Sequence, residues 1–213
     1  MTRIALFHSV LGLRPGVEAA AEVFRAAGHQ VRVVDQYDGR VFSDYSEADA
    51  FAGSLGYPAL MQAALDAVSD DPGPFVAAGF SNGAGMAEYV AATRGGAAGG
   101  VVGSLQFAGA IPLTMVGLSD WPMATPVQLH YTIGDPFRDQ AWVQGFVDSV
   151  TASGSPIETF LHYPKAGHLF TDASLPAEYD EESAALAFRR ALDFLERAAL
   201  TTTKPDLESV PNS

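Results

Sequence analysis

Six short apolar runs rich in branched residues recur along the chain, at residues 4–8, 31–35, 75–80, 101–107, 127–133 and 157–162. Between most of them lie longer, alanine-rich stretches with helical spacing, at residues 15–27, 57–68, 82–93, 139–153 and 180–199. Runs this short and this continuously apolar suit strands buried on both faces. Strands that alternate with helices pair in parallel, because each helix carries the chain back across the sheet. The pattern therefore predicts an α/β fold: a mainly parallel, doubly wound sheet with helices on both faces. In the last helical stretch, Ala184, Phe188, Ala191, Leu192 and Leu195 form an apolar stripe at steps of three or four. Gly28 and the pair Gly95 and Gly96 stand where helices should stop. Two connections, 37–56 and 109–126, are long enough to shape a site, since ligands of such sheets bind beyond the carboxyl ends of the strands. Residues 1–200 read as one domain. Residues 201–213, TTTKPDLESVPNS, are polar with two prolines and read as a disordered tail.

The stretch VAAGFSNGAGMAEYV, residues 76–90, runs from an apolar strand through a sharp turn into a small-residue helix. Within it Gly79-Phe80-Ser81-Asn82-Gly83 fits G-x-S-x-G in the strand–turn–helix context that motif needs. Side chains two positions before and after the serine would collide, which calls for glycine at both. The turn also aims N–H groups of the helix start at the serine, where negative charge would develop. By itself the pattern is equally compatible with a polar turn or a phosphate-binding loop. A serine hydroxyl needs a base and an orienting acid. In LHYTIGDPF, Asp135 stands just past a strand, and in HYPKAGHLF, His168 stands just past the last one. The order Ser81, Asp135, His168 is that of the α/β-hydrolase fold, and all three fall at carboxyl edges of strands. His8, at the end of the first strand, is the rival base. His130 and His162 lie inside strands and read as packed, and His29 reads as exposed at a helix–strand turn. Asp139 and Asp172 rival Asp135, but Asp139 is better placed to cap the helix after it.

Charge narrows the partner. Twelve Lys and Arg against 25 Asp and Glu leave a net −13, spread without runs. That balance disfavours nucleic acid and anionic membrane surfaces; the small-molecule substrate expected here rests on the order of Ser81, Asp135 and His168, not on charge. There is no cysteine, so no disulfide or thiol chemistry. No HExxH or similar ligand spacing occurs, so neither metal nor organic cofactor is expected. The N-terminal apolar run is too short for a signal peptide and no later run approaches a membrane span, which makes cytoplasmic the expected location. Nothing in the pattern specifies an oligomeric state.

With these residues in view, the chain resembles the dienelactone hydrolases of the α/β-hydrolase superfamily. The resemblance runs from about residue 3 to 200 and rests on FHSVLGLRPGV, VVDQY, GFSNGAG, the IGDPF loop and the YPKAGHLF loop. It implies a catalytic triad of Ser81, Asp135 and His168, and an oxyanion hole from the backbone N–H groups of Val10 and Asn82. It also implies departures. The relatives carry cysteine at the elbow and a glutamate where Ser9 stands. They bind a substrate carboxylate with arginines, one of which falls at Asp172, while the other belongs in the loop that here reads DYSEADAFAGS. The chain starts directly at the first buried strand, so the usual amino-terminal edge strands are missing. The expectation is a serine hydrolase of an ester, lactone or thioester of a small substrate through an acyl-enzyme on Ser81. The alternatives are acyl transfer or a lyase or cyclase step with the same residues, or a non-catalytic binding protein on this fold. The expected pocket residues are Leu11, Met115, Trp121, Phe137, Leu169 and Asp172. Asp172, with Asp44, Glu47 and Asp49, is expected to disfavour carboxylate-bearing substrates.

Overall fold

The computed structural model describes residues 1–71, 73–96, 100–163 and 167–201, without the side chains of residues 162 and 199–201. The expected tail from 202 onward, residues 164–166 of the last motif and the side chain of His162 lie outside the described residues. Six strands form one sheet: β1 (Arg3–Phe7), β2 (Gln30–Val34), β3 (Phe75–Phe80), β4 (Val101–Phe107), β5 (Val127–Thr132) and β6 (Ile157–Tyr163). Their order is β2-β1-β3-β4-β5-β6, and every pairing is parallel. β3 and β5 are buried at every position, as continuous apolar strands between two helical layers should be. β2 is one edge of the sheet and β6 the other, and the β2 side chains alternate in exposure over residues 30–33.

The helices are α1 (Pro15–Ala26), α2 (Tyr45–Leu55), α3 (Tyr57–Ala67), α4 (Asn82–Arg94), α5 (Gln140–Ala152) and α6 (Glu181–Thr201), with a 3-10 turn at Leu113–Val116. Right-handed crossovers fix the layers. The step from β1 to β2 runs one way along the sheet and every later step runs the other. α1 therefore covers one face and α3, α4 and α5 the other. The chain returns through α6 to the first face, where Phe188 packs edge-on against Phe24 of α1 at 5.9 Å. The order reverses between β1 and β3, and the carboxyl ends of those two strands open there. Among the described residues no helix is long and apolar enough to cross a membrane.

One expectation is corrected here. The connection 37–56 is not a loop throughout, because residues 45–55 form α2. Asp44 caps it, its carboxylate accepting the Glu47 N–H at 2.9 Å. Only Ala48 and Ala52 are fully buried, so the helix shows no strong apolar stripe. Asp44 and Glu47 are thus helix-start residues.

Candidate active site

Ser81 sits between β3 and α4 with φ 53° and ψ −118°, outside the ordinary helix and strand regions. Its neighbours leave no alternative. A Cβ on Gly79 would run into the carbonyl of Gly83, and one on Gly83 into the carbonyls of Phe7 and His8. The Ser81 N–H donates to the Phe107 carbonyl at 2.7 Å, which ties the turn to the end of β4. The hydroxyl is thereby raised above the carboxyl edge of the sheet.

Asp135 leaves β5 three residues past its end. One carboxylate oxygen accepts the Phe137 N–H at 2.8 Å. Arg138, next in the same loop, donates to the carbonyls of Thr132 and Leu161 at 3.0 and 3.1 Å and so pins the ends of β5 and β6 together. His168 follows β6, with its loop held to β5 by the Thr132 hydroxyl donating to the Gly167 carbonyl at 3.2 Å. The three side chains meet. His168 Nδ1 lies 2.9 and 2.8 Å from the two Asp135 oxygens, and His168 Nε2 lies 2.7 Å from Ser81 Oγ. One tautomer satisfies both ends: Nδ1–H donates to the carboxylate, and Nε2 accepts from the serine. Asp135 and His168 are buried and Ser81 is half-buried. The Phe137 ring packs edge-on against the imidazole at 4.7 Å and the Tyr45 ring at 6.0 Å.

The rival groups are spent elsewhere. His8 Nδ1 donates to the Ser9 carbonyl at 2.7 Å, and Nε2 accepts the Gln36 N–H at 3.0 Å. Burial lowers its pKa, which keeps it neutral. His29, expected to be exposed, is 9% exposed and accepts the Thr2 N–H through Nδ1. Asp139 caps α5 as expected, accepting the Ala141 and Trp142 N–H groups at 2.8 and 3.0 Å.

A cavity of about 790 Å³ opens over Ser81 and His168, with Val10 and Asn82 on its wall. Met115 and Phe137 line it as expected; Leu11, Trp121, Leu169 and Asp172 do not. Leu11 is fully buried in the core. Trp121 turns inward, donates to the Thr125 carbonyl at 2.8 Å and packs edge-on against Phe146. Leu169 and Asp172 face a separate small void beside α1. There Asp172 pairs with Arg14 at 3.3 Å and accepts the Ser174 hydroxyl and N–H, pressed against Gly16. Its charge is neutralised away from the cavity, so it cannot repel a bound anion.

Sequence reasoning missed three groups that shape this site. Tyr45 and Tyr57 line the cavity from α2 and α3. Glu178 does not reach the cavity but holds the segment around His168. It accepts the Leu169 N–H through its carboxylate at 2.7 Å and the Gly167 N–H through its carbonyl at 2.8 Å. The same carboxylate accepts the Tyr45 hydroxyl at 2.9 and 3.0 Å. Burial and that carboxylate push the Tyr45 pKa up, so the hydroxyl keeps its proton and donates. The signal available was the pair Asp44 and Glu47 three residues apart, which marks a helix start at Tyr45. Glu178 had none. Among the described residues no group of three or more His, Asp or Glu side chains is arranged to hold a metal ion.

Chemically, a hydroxyl bonded to an imidazole whose other N–H is held by a carboxylate can lose its proton as it attacks. The model of the dienelactone hydrolase family matches residues 3–199. The chain belongs to the dienelactone hydrolase family. As a member it is an ester-cleaving hydrolase, and it has the α/β-hydrolase fold. No curated protein matches it in sequence. Among solved structures it is similar to a dienelactone hydrolase-like promiscuous phosphotriesterase from metagenomic libraries, with TM-score 0.76 and 19% identity over 93% of this chain and 87% of that one. It is also similar to esterase 2 of Thermogutta terrifontis phosphonylated by cyclosarin, with TM-score 0.62 and 14% identity over 95% and 83%. A third is the carboxylesterase of Bacillus cereus, with TM-score 0.58 and 14% identity over 92% and 88%. At such identities these likenesses show the fold.

Proposed function

We propose that this family member is a serine hydrolase that cleaves an ester, lactone or thioester of a small substrate through an acyl-enzyme on Ser81. The observation that carries the reading is the unbroken hydrogen-bond line from Ser81 Oγ through His168 to Asp135, 2.7 Å at one end and 2.8 Å at the other. Ser81 Oγ attacks the carbonyl carbon as His168 Nε2 takes its proton. The carbonyl oxygen becomes an oxyanion, held by the N–H groups of Val10 and Asn82. The Asn82 N–H suits this because it is the first of α4, and the first N–H groups of a helix have no partner within it. One such donor is worth about 2.7–4 kcal/mol in the transition state. His168 then returns the proton to the leaving oxygen or sulfur, the carbonyl–leaving-group bond breaks and the acyl group stays on Ser81. Water, deprotonated by the same imidazole, attacks the acyl carbon and regenerates the serine. Asp135 fixes the tautomer and stabilises the imidazolium throughout.

The test uses a phosphonate, a class of reagent that carries the modification in the Thermogutta terrifontis esterase structure. A fluorophosphonate probe should add one phosphonyl group, mapped by peptide mass to Ser81. Ser81→Ala should remove both the labelling and the turnover of short p-nitrophenyl esters while the protein stays folded. Labelling that persists in Ser81→Ala, or maps to Ser9 or Ser104, would refute the proposal.

A further inference from the structure

The cavity over Ser81 is large and apolar, and no cation lines it among the described residues. One wall comes from α2, α3 and the start of α4, with Met61 and Met86; the other comes from residues 108–116, the loop into α5 and the first turn of α5, with Ile111, Met115, Phe137 and Trp142. None of its described lining residues is Lys or Arg. Two arginines come near in sequence to the site residues, and both are committed. Arg14 is bonded to Asp172, the Phe42 carbonyl and Ser174, and Arg138 to the carbonyls of Thr132 and Leu161. Of the three tyrosines that line the cavity, two spend their hydroxyls on carboxylates, Tyr45 on Glu178 and Tyr57 on Asp49 at 2.8 Å, and the third, Tyr131, is hydrogen-bonded to the backbone of Ala110. The charges that do line the cavity are Asp49 and Asp139, both exposed and therefore at its mouth.

Resting on the serine-hydrolase reading, we infer that the substrate is a neutral ester with apolar groups, and that esters of equal size bearing a free carboxylate are rejected. An anion entering this cleft would exchange its hydration for methionine and aromatic side chains, with no counter-charge among the described residues to replace the water. It would also pass two carboxylates at the mouth, on a chain whose net charge is −13. A neutral chain meets neither penalty and gains from burying its surface. The volume of about 790 Å³ leaves room for more than an acetyl group. This selectivity does not involve Asp172, whose charge lies outside the cavity against Arg14.

The experiment pairs substrates that differ in one charge: p-nitrophenyl hexanoate against the mono-p-nitrophenyl ester of adipic acid. The neutral ester should have the higher kcat/KM by about a hundredfold, the scale on which an apolar pocket rejects an analogue that adds one polar group. A second arm requires no chemistry. Calorimetry on the Ser81→Ala protein compares hexananilide with adipic acid monoanilide, and the neutral amide should bind the more tightly. Equal or better use of the adipate, equal or tighter binding of the anionic amide, or binding of neither amide would overturn the inference. If no ester is turned over by the wild type while the neutral amide binds more tightly, the inference stands and the hydrolase reading falls.

Discussion

Ser81 is held where no ordinary residue would rest by choice, and what holds it is the collision geometry of Gly79 and Gly83. That strain aims the hydroxyl at an imidazole whose far side is already occupied. The Asp135–His168 contact therefore decides which nitrogen carries the proton. Replacing Asp135 by Asn keeps the shape but offers an amide N–H to Nδ1, so the proton moves to Nε2 and Ser81 loses its acceptor. We expect turnover of a neutral ester to fall by about 10⁴ in Asp135→Asn, with fold and substrate affinity retained. A kcat within tenfold of the wild type would contradict this role. At this scale the sequence carried a great deal. Chain order and strand ends set Ser81, Asp135 and His168 in one place, because a parallel sheet brings all its carboxyl ends to one edge. It could not set Leu11, Trp121, Leu169 or Asp172. Each lies near the site in sequence, but the local path of its loop turns the side chain into the core or toward α1.

Among the elements, α2 does the most with the least sequence signal. Its buried face is two alanines, so neither spacing nor hydropathy marks it, and only the Asp44 cap shows where it starts. The strands were legible because burial on both faces forces long apolar runs. A half-exposed helix over a cavity is under no such pressure. Yet α2 supplies Tyr45, and through Tyr45 it is joined to the His168 loop at Glu178. Residues on both sides of His168 donate their N–H groups to Glu178, so this one residue fixes the height of the imidazole over Ser81. Glu178→Ala should lower kcat by about 10- to 100-fold, the cost of a displacement near 1 Å at a reacting group. Glu178→Gln keeps an acceptor for the Leu169 N–H and should restore most of that loss. Tyr45→Phe, which leaves the loop bonds intact, should act mainly on KM. Steady-state kinetics separates these from a purely structural role, in which melting temperature would drop with kcat unchanged.

Across the whole molecule the chemistry sits at one edge of the sheet, and the body beneath it carries a different kind of polar cluster. His130, inside β5, is fully buried between the rings of Phe107 at 4.8 Å and Phe160 at 5.3 Å. Its Nδ1 accepts the Tyr163 hydroxyl at 2.7 Å and its Nε2–H donates to Gln128 at 2.9 Å. The charged groups around it are Arg190, whose guanidinium donates to the Tyr163 oxygen at 3.1 Å and lies over Phe160, and Glu158, bonded to Gln128 and Arg197. Burial first, and the Arg190 cation second, lower the His130 pKa from 6.5 to about 3. The unfolded chain therefore takes up a proton below pH 6.5 that the folded chain refuses until about pH 3. Stability from this group is complete above pH 6.5 and is lost as pH falls through that window. His8, lowered by its own burial, acts in the same direction. Glu88 acts the other way. Burial raises its pKa, so it costs stability as pH rises above 4.5, where the unfolded carboxyl ionises. Urea unfolding between pH 7 and pH 4 should thus show a decline approaching about 1.4 kcal/mol per pH unit for each proton taken up. His130→Phe keeps the ring stack and removes one titration. It should start less stable at pH 7, because Gln128 loses its partner, and should then fall more slowly toward pH 4. Parallel curves for the variant and the wild type would show that His130 carries none of the acid sensitivity.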